Sequence, residues 1–160
     1  MTNLYKRVFE ESDRKTPDPQ GIDATQLTRG LWVGSKPKTG RAVAESGFDL
    51  LVLCAEEYQP SARAFPGVEV IHAPFDDNDI GPFPREKQIA KKAAKRVAHA
   101  LRQDSNVLVT CRAGRNRSAL VCALALVENG YDPVRCIQLI QSRRDHSLSN
   151  QWFVDLIAGA

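Results

Sequence analysis

No hydrophobic run in this sequence is long: the longest, Ala119 to Val127, falls far short of the ~20 apolar residues that a bilayer-spanning helix needs. Met1-Thr2-Asn3-Leu4-Tyr5-Lys6-Arg7 has no apolar stretch of the secretory-signal kind. The four cysteines, Cys54, Cys111, Cys122 and Cys136, show no C-x-x-C spacing and no paired histidines nearby, so a zinc site is not expected. Neither sign of charge dominates, and a net charge of +3 is too small to argue for nucleic acid. There is no internal repeat and no low-complexity tract. The expectation is a cytoplasmic chain with no metal, no cofactor, no integral membrane segment and no nucleic-acid partner, its cysteines being thiols.

At 160 residues, 42% apolar and 26% charged, the chain has the size and balance of one soluble globular domain. Residues 1–21 read as an N-terminal extension, with an amphipathic turn around Leu4, Val8 and Phe9 and a turn-rich end at Thr16-Pro17-Asp18-Pro19-Gln20-Gly21. Residues 22–160 read as the folded domain. Strand and helix signals alternate there. Leu31-Trp32-Val33-Gly34 is a short strand, and Arg41 to Glu45 a helix closed by Gly47. Asp49 to Cys54 is an apolar run of strand length, as a strand buried on both faces requires. Val68 to His72 is a further strand, ended by Pro74. Pro84 opens a long helix to Gln103 with Ile89, Ala93, Val97, Ala100 and Leu101 on one face and Lys87, Lys91, Lys92, Lys95, Arg96 and Arg102 on a solvated one. Asn106 to Thr110 is the next buried strand. A helix follows from Ser118 to Val127, then one over Val134 to Arg143 capped by Asp132-Pro133, and a last one capped by Ser149. The fold class is therefore α/β, a mostly parallel central sheet flanked by helices.

Cys111 ends one of those strands, where ligands bind in such sheets. It opens the loop Cys111-Arg112-Ala113-Gly114-Arg115-Asn116-Arg117-Ser118, which leads into a helix. The first N–H groups of a helix have no internal partners, and its dipole adds positive charge, so an anion binds there. Gly114 lets successive N–H groups converge into a nest. Arg117 can fork two hydrogen bonds onto phosphate oxygens. The same positive potential favours a Cys111 thiolate, which could displace the leaving oxygen of a phosphate ester and form a phosphocysteine. Ser118 could donate a hydrogen bond to the sulfur and ease its departure when water attacks.

Cys-x5-Arg-Ser, here Cys111 through Arg117 and Ser118, resembles the phosphate-binding loop of the protein tyrosine phosphatases, in particular their small dual-specificity branch. Leu31-Trp32-Val33-Gly34-Ser35 is similar to the family's early Leu-Tyr-Leu-Gly-Ser strand, and Leu148 to Phe153 to its closing Asn-x-x-Phe helix start. The likeness spans roughly residues 22 to 158. It implies a protein tyrosine phosphatase-like fold, with Cys111 and Arg117 catalytic, Ser118 assisting, and Arg112, Ala113, Gly114, Arg115 and Asn116 lining the phosphate. It also implies an aspartate that protonates the leaving group. By position after Pro74 that is Asp77, with Asp76 the second candidate. The chain departs from the family at Thr110, where a histidine usually precedes the cysteine. A threonine hydroxyl supplies a hydrogen bond but no imidazole, so a less acidic thiol than in histidine-bearing relatives is expected.

The expected substrate is a phosphorylated protein or peptide, entering a shallow pocket open to phosphotyrosine, phosphoserine and phosphothreonine. Basic residues at the positions of Arg112 and Arg115, together with Leu53-Cys54-Ala55-Glu56, also look like the phosphoinositide phosphatases of the superfamily. A phosphoinositide head group is thus the alternative substrate. Relatives with a cysteine at the place of Cys54 can form a disulfide with the catalytic cysteine, which makes Cys54 a candidate redox partner beside its reading as a buried thiol. A phosphate-binding pseudoenzyme is the reading from another class, against which Cys111, Arg117, Ser118 and an aspartate are all present. A sulfurtransferase would leave the aspartates and Ser118 unexplained.

Overall fold

The computed structural model describes residues 15–81 and 84–160. Its sheet has five strands: β1 (Ala24–Thr28), β2 (Leu31–Ser35), β3 (Leu50–Ala55), β4 (Glu69–Phe75) and β5 (Val107–Cys111), in the order β1-β2-β5-β3-β4. Every pairing is parallel except β1 with β2. The helices among the described residues are α1 (Ala42–Glu45), α2 (Pro84–Arg102), α3 (Arg117–Glu128), α4 (Pro133–Arg143) and α5 (Gln151–Ala158).

Strand polarity follows position. β3 and β5 lie inside the sheet with helices or loops on both sides, so Leu-Leu-Val-Leu-Cys-Ala and Val-Leu-Val-Thr-Cys are buried throughout. Their residues alternate between two cores. Leu50, Val52, Cys54, Val107, Val109 and Cys111 join the core under α2 to α5. Leu51, Leu53 and Leu108 join a smaller one with Trp32, Val43, Phe48 and Phe65. Cys111 thus points to the helical side. Thr110 points to the opposite face, where its hydroxyl donates to the Val52 carbonyl, 3.1 Å away.

Helix α3 is buried from Arg117 to Leu126, and beyond Ser118 that stretch is apolar all round. It packs against α2, whose buried stripe is Ala90, Ala93, Ala94, Val97 and Ala98. Small residues let the two axes approach. The expected face shares Ala93 and Val97 with this stripe, while Ile89, Ala100 and Leu101 lie half-buried at its margin. Lys87, Lys91, Lys92, Lys95, Arg96 and Arg102 are exposed, as expected.

Two expectations need correction, and one strand is an addition. The fourth strand passes through Pro74 to Phe75. It is an edge strand whose register with β3 shifts between Leu53 and Ala55, and a proline fits where a ladder N–H is not needed. The last helix is capped by Asn150, whose Oδ1 accepts from the N–H groups of Trp152 and Phe153; Ser149 bonds Asn116 instead. Strand β1 had no reading, because Ala-Thr-Gln-Leu-Thr at an edge buries only Leu27 and Thr28. Of the extension, the described part lies against the domain: Asp18 N–H donates to Ser46 O at 2.8 Å and Asn106 Nδ2 to Lys15 O at 2.9 Å. The turn around Leu4, Val8 and Phe9 lies outside the described residues. No helix among the described residues is long and apolar enough to cross a membrane.

Candidate active site

Strand β5 delivers Cys111 to its carboxyl end, and α3 begins at Arg117. The loop between them is held from its outer side. Arg112 O accepts from Lys36 N–H (3.4 Å), Ala113 O from Arg144 Nη2 (3.0 Å), Gly114 O from Arg144 Nε (2.7 Å) and Arg115 O from Leu148 N–H (2.8 Å). In a planar trans peptide the N–H lies opposite the C=O. Four carbonyls turned outward therefore turn the N–H groups of Ala113, Gly114, Arg115 and Asn116 inward, an arrangement that can bind an anion. Gly114 takes a φ of +68°, and a Cβ there would overlap the backbone of Gly34 and stand 2.7 Å from Arg144 Nη2. Only glycine serves at that position.

Two charged groups frame this loop. Arg117, buried, forms a two-pronged ion pair with Glu57, Nη1 to Oε2 and Nη2 to Oε1, both 2.6 Å; Nη1 also donates to Phe75 O at 3.1 Å. A guanidinium has five N–H bonds. These contacts use three, leaving Nε–H and one Nη2–H on a single edge as a fork for phosphate. The Arg117 hydrogen bonds, against a smaller burial effect, hold the Glu57 carboxyl down to about 2. Its loop is itself fixed, with Gln59 Nε2 donating to Leu53 O and Ala55 O at 2.8 Å each. Arg144 bonds Asp23 through both Nη atoms (3.1 and 2.7 Å) and Thr25 Oγ1 (2.9 Å), which aims it at the loop carbonyls. Its hydrogen bonds lower the Asp23 carboxyl.

Ser118 Oγ lies 3.1 Å from Cys111 Sγ, both atoms in buried residues. Asp77 faces the loop: Oδ2 accepts from Asn116 Nδ2 (3.1 Å) and Oδ1 from Asn150 Nδ2 (2.8 Å). Asp76 turns back into its own segment, accepting from Asp77 N–H (2.9 Å) and Asn78 Nδ2 (3.3 Å). Arg112 and Arg115 are exposed, the first in the field of Glu57 and the second in that of Asp23.

All four cysteines are free thiols. Burial pushes the Cys54 thiol well above its ordinary range and does the same at Cys122. Cys54 follows the Leu53–Thr110 register pair as Cys111 does on the adjacent strand, so the two are neighbours on the helical side.

Glu57, Arg144 and Asn150 bear directly on the site and had no sequence reading as site residues. Glu57 directly follows the segment Leu53 to Glu56 that carries a family likeness. Asn150 is the asparagine of the Asn-x-x-Phe likeness, which marks a helix start but not a contact with the acid segment; Arg144 carries no local signal and becomes visible only when the chain folds back.

The sequence matches the family profile "Dual specificity phosphatase, catalytic domain" over residues 31–158. It is 29% identical over 150 residues to human dual specificity phosphatase 28, covering 90% of this chain and 81% of that one. The crystal structure of human DUSP28 superposes with a TM-score of 0.70, at 24% identity, over 91% and 95% of the two chains. A Dictyostelium discoideum protein described as a probable protein tyrosine phosphatase type IVA B is 26% identical over 104 residues, 62% of this chain and 61% of its own length. The crystal structure of PTPMT1 in complex with PI(5)P shares the fold, with a TM-score of 0.69 at 20% identity over 83% and 90% of the chains. The profile match covers the sheet, the loop at Cys111 and the closing helix together, so the chain belongs to the dual specificity phosphatase family of cysteine-based phosphatases.

Proposed function

We propose that this phosphatase hydrolyses phosphate monoesters of phosphorylated proteins or peptides in two in-line steps at Cys111. The Cys111 thiolate attacks phosphorus while the bond to the leaving oxygen breaks, and Asp77 gives that oxygen its proton. Water then attacks the phosphocysteine, giving its proton to Asp77, and the sulfur departs with a hydrogen bond from Ser118. The inward N–H groups and the free edge of Arg117 hold the three non-bridging oxygens throughout. The observation that carries this reading is the 3.1 Å contact between Cys111 Sγ and Ser118 Oγ at the floor of a loop whose four carbonyls all face away. Asp77 is favoured over Asp76 because its carboxylate meets Asn116 of that loop, whereas Asp76 is engaged within its own segment.

A panel of an aryl phosphate, phosphotyrosine and phosphoserine peptides and phosphoinositides, with Cys111→Ser alongside, tests the proposal. Peptide turnover abolished by the substitution supports it. Preference for inositol lipids supports the second reading, which rests on the exposed Arg112 and Arg115 and the fold shared with PTPMT1. Retained vanadate binding without turnover of anything would make the chain a phosphate-binding module.

A cytoplasmic location is part of the proposal, since a free Cys111 needs a reducing compartment; cell fractionation checks it. Cys54 is assigned as redox partner. Peroxide oxidises the Cys111 thiolate to a sulfenic acid, and the Cys54 sulfur then attacks that sulfur, with loss of water and formation of the S–S bond. Mass spectrometry after mild peroxide should find a Cys54–Cys111 peptide. A Cys111 sulfinate with free Cys54 would refute the assignment.

A further inference from the structure

Residues Asp76 to Gly81 project from the end of β4, and Ile80 among them is 73% exposed. Three side chains from outside hold this segment. Asn116 and Asn150 grip the carboxylate of Asp77, and Asn150 Nδ2 also reaches Asn78 O at 2.9 Å. The third is Trp152, in the first turn of α5. Its Nε1–H donates to Asp79 O at 2.6 Å, and its indole covers Gly81 so closely that a Cβ there would stand 2.9 Å from Cδ2 and 3.0 Å from Cε3. Trp152 is half exposed, so the core does not require it.

These grips differ in kind. The asparagines bond the carboxylate oxygens, which must turn to a leaving oxygen and exchange a proton with it during turnover. Trp152 bonds a backbone carbonyl and packs on backbone, and neither contact changes when the carboxyl reacts. Asn150 caps α5 with its Oδ1 while its Nδ2 reaches the loop, so the acid segment and the helix start are one assembly.

We propose that Trp152 is a positioning residue for proton transfer: its indole latches segment 76–81 to α5 and keeps Asp77 at the leaving oxygen while the carboxylate exchanges partners. The inference rests on the reading of Asp77 as the general acid. Its signature is selective. A leaving group that is stable as an anion needs no proton, whereas a basic one does. Loss of the latch therefore slows basic leaving groups and spares acidic ones.

The test is kcat/KM, which reports transfer to Cys111, for the full chain across aryl phosphates of graded leaving-group basicity. Trp152→Ala should lose about ten-fold on the most basic leaving group, a fraction of the ~10²–10⁴ that an acid supplies, and less than two-fold on the most acidic. Trp152→Phe, which keeps the ring on Gly81 but not the N–H, should fall between. Asp77→Asn should show the steepest dependence, and adding Trp152→Ala to it should cost nothing further. Gly81→Ala, which keeps Trp152 but pushes the segment off it, should reproduce the selective loss and serves if Trp152→Ala fails to fold. Equal loss across the series, or a multiplicative loss in the double variant, would overturn the latch. A flat profile for Asp77→Asn would instead overturn the acid assignment, and the latch with it.

Discussion

Loop 111–118 and segment 76–81 meet through a single hydrogen bond, Asn116 to Asp77, yet they are held in different ways. The first is gripped by its backbone: four carbonyls are tied, Gly114 fits against Gly34, and Arg117 is clamped by Glu57. Its donors are arranged before any substrate arrives, which is how a site stabilises charge without reorganising. The second is gripped at an exposed edge, partly through the Asp77 carboxylate and partly through the Asn78 and Asp79 carbonyls. In the proposed mechanism Asp77 exchanges a proton twice per turnover, which needs freedom that a phosphate cradle does not. The phosphate site should therefore fail abruptly when damaged, and the acid site by degrees that depend on the substrate.

The largest effect that sharpens this contrast is Cys111→Ser, which should bring turnover of every substrate to background while phosphate still protects the protein thermally. Asp77→Asn comes next, lowering kcat/KM by about 10²–10⁴ on basic leaving groups and much less on acidic ones. Asp76→Asn should not share that dependence, because its carboxylate serves its own segment. Arg144→Ala tests the backbone grip. It releases the Ala113 and Gly114 carbonyls and should lower kcat/KM by up to about 10² for all leaving groups alike, with about 1–3 kcal/mol of stability lost, read by urea denaturation. A leaving-group-dependent loss there would break the comparison.

The smallest effect is a pH dependence. Folding lowers the Glu57 carboxyl from 4.5 to about 2. The ionised form is the one the fold favours, so its stabilisation is complete above the ordinary carboxylate value and is lost as pH falls toward 2. Glu57 is 43% exposed, so solvent screens much of the gain. The thermal midpoint of Glu57→Gln should lie a little below that of the unaltered protein above pH 5 and converge with it toward pH 2. A gap that widens on acidification would contradict the assignment.

The sequence made the phosphate loop legible because everything that defines it is contiguous. A buried strand, Cys-x5-Arg-Ser and an apolar helix follow one another, and the inward nest is a local consequence. What braces it is not contiguous: Glu57 lies 60 residues before Arg117 and Arg144 lies 30 after Gly114. Position after Pro74 puts Asp77 ahead of Asp76, while the contacts that support that choice come from Asn116 and Asn150, far along the chain. Ser149 and Asn150 are both good caps by type. Asn150 takes the role because its amide can accept from two helix N–H groups and still donate to the acid segment, while Ser149 meets Asn116. Pro74 stops a central strand but not an edge strand, and nothing local tells which β4 is. Thr110 was read for its lack of an imidazole, and the structure adds that its hydroxyl is spent on Val52 O, on the face away from the sulfur.

If phosphate passes through Cys111, the protein carries it covalently between the two steps. Rapid alkaline, denaturing quench of a mixture with an aryl phosphate, followed by peptide mass spectrometry, decides the matter. A phosphate adduct is expected on the peptide that carries Cys111, formed at the rate of leaving-group release and absent from Cys111→Ser. Undiminished turnover by Cys111→Ser, or an adduct on any other residue, would contradict it.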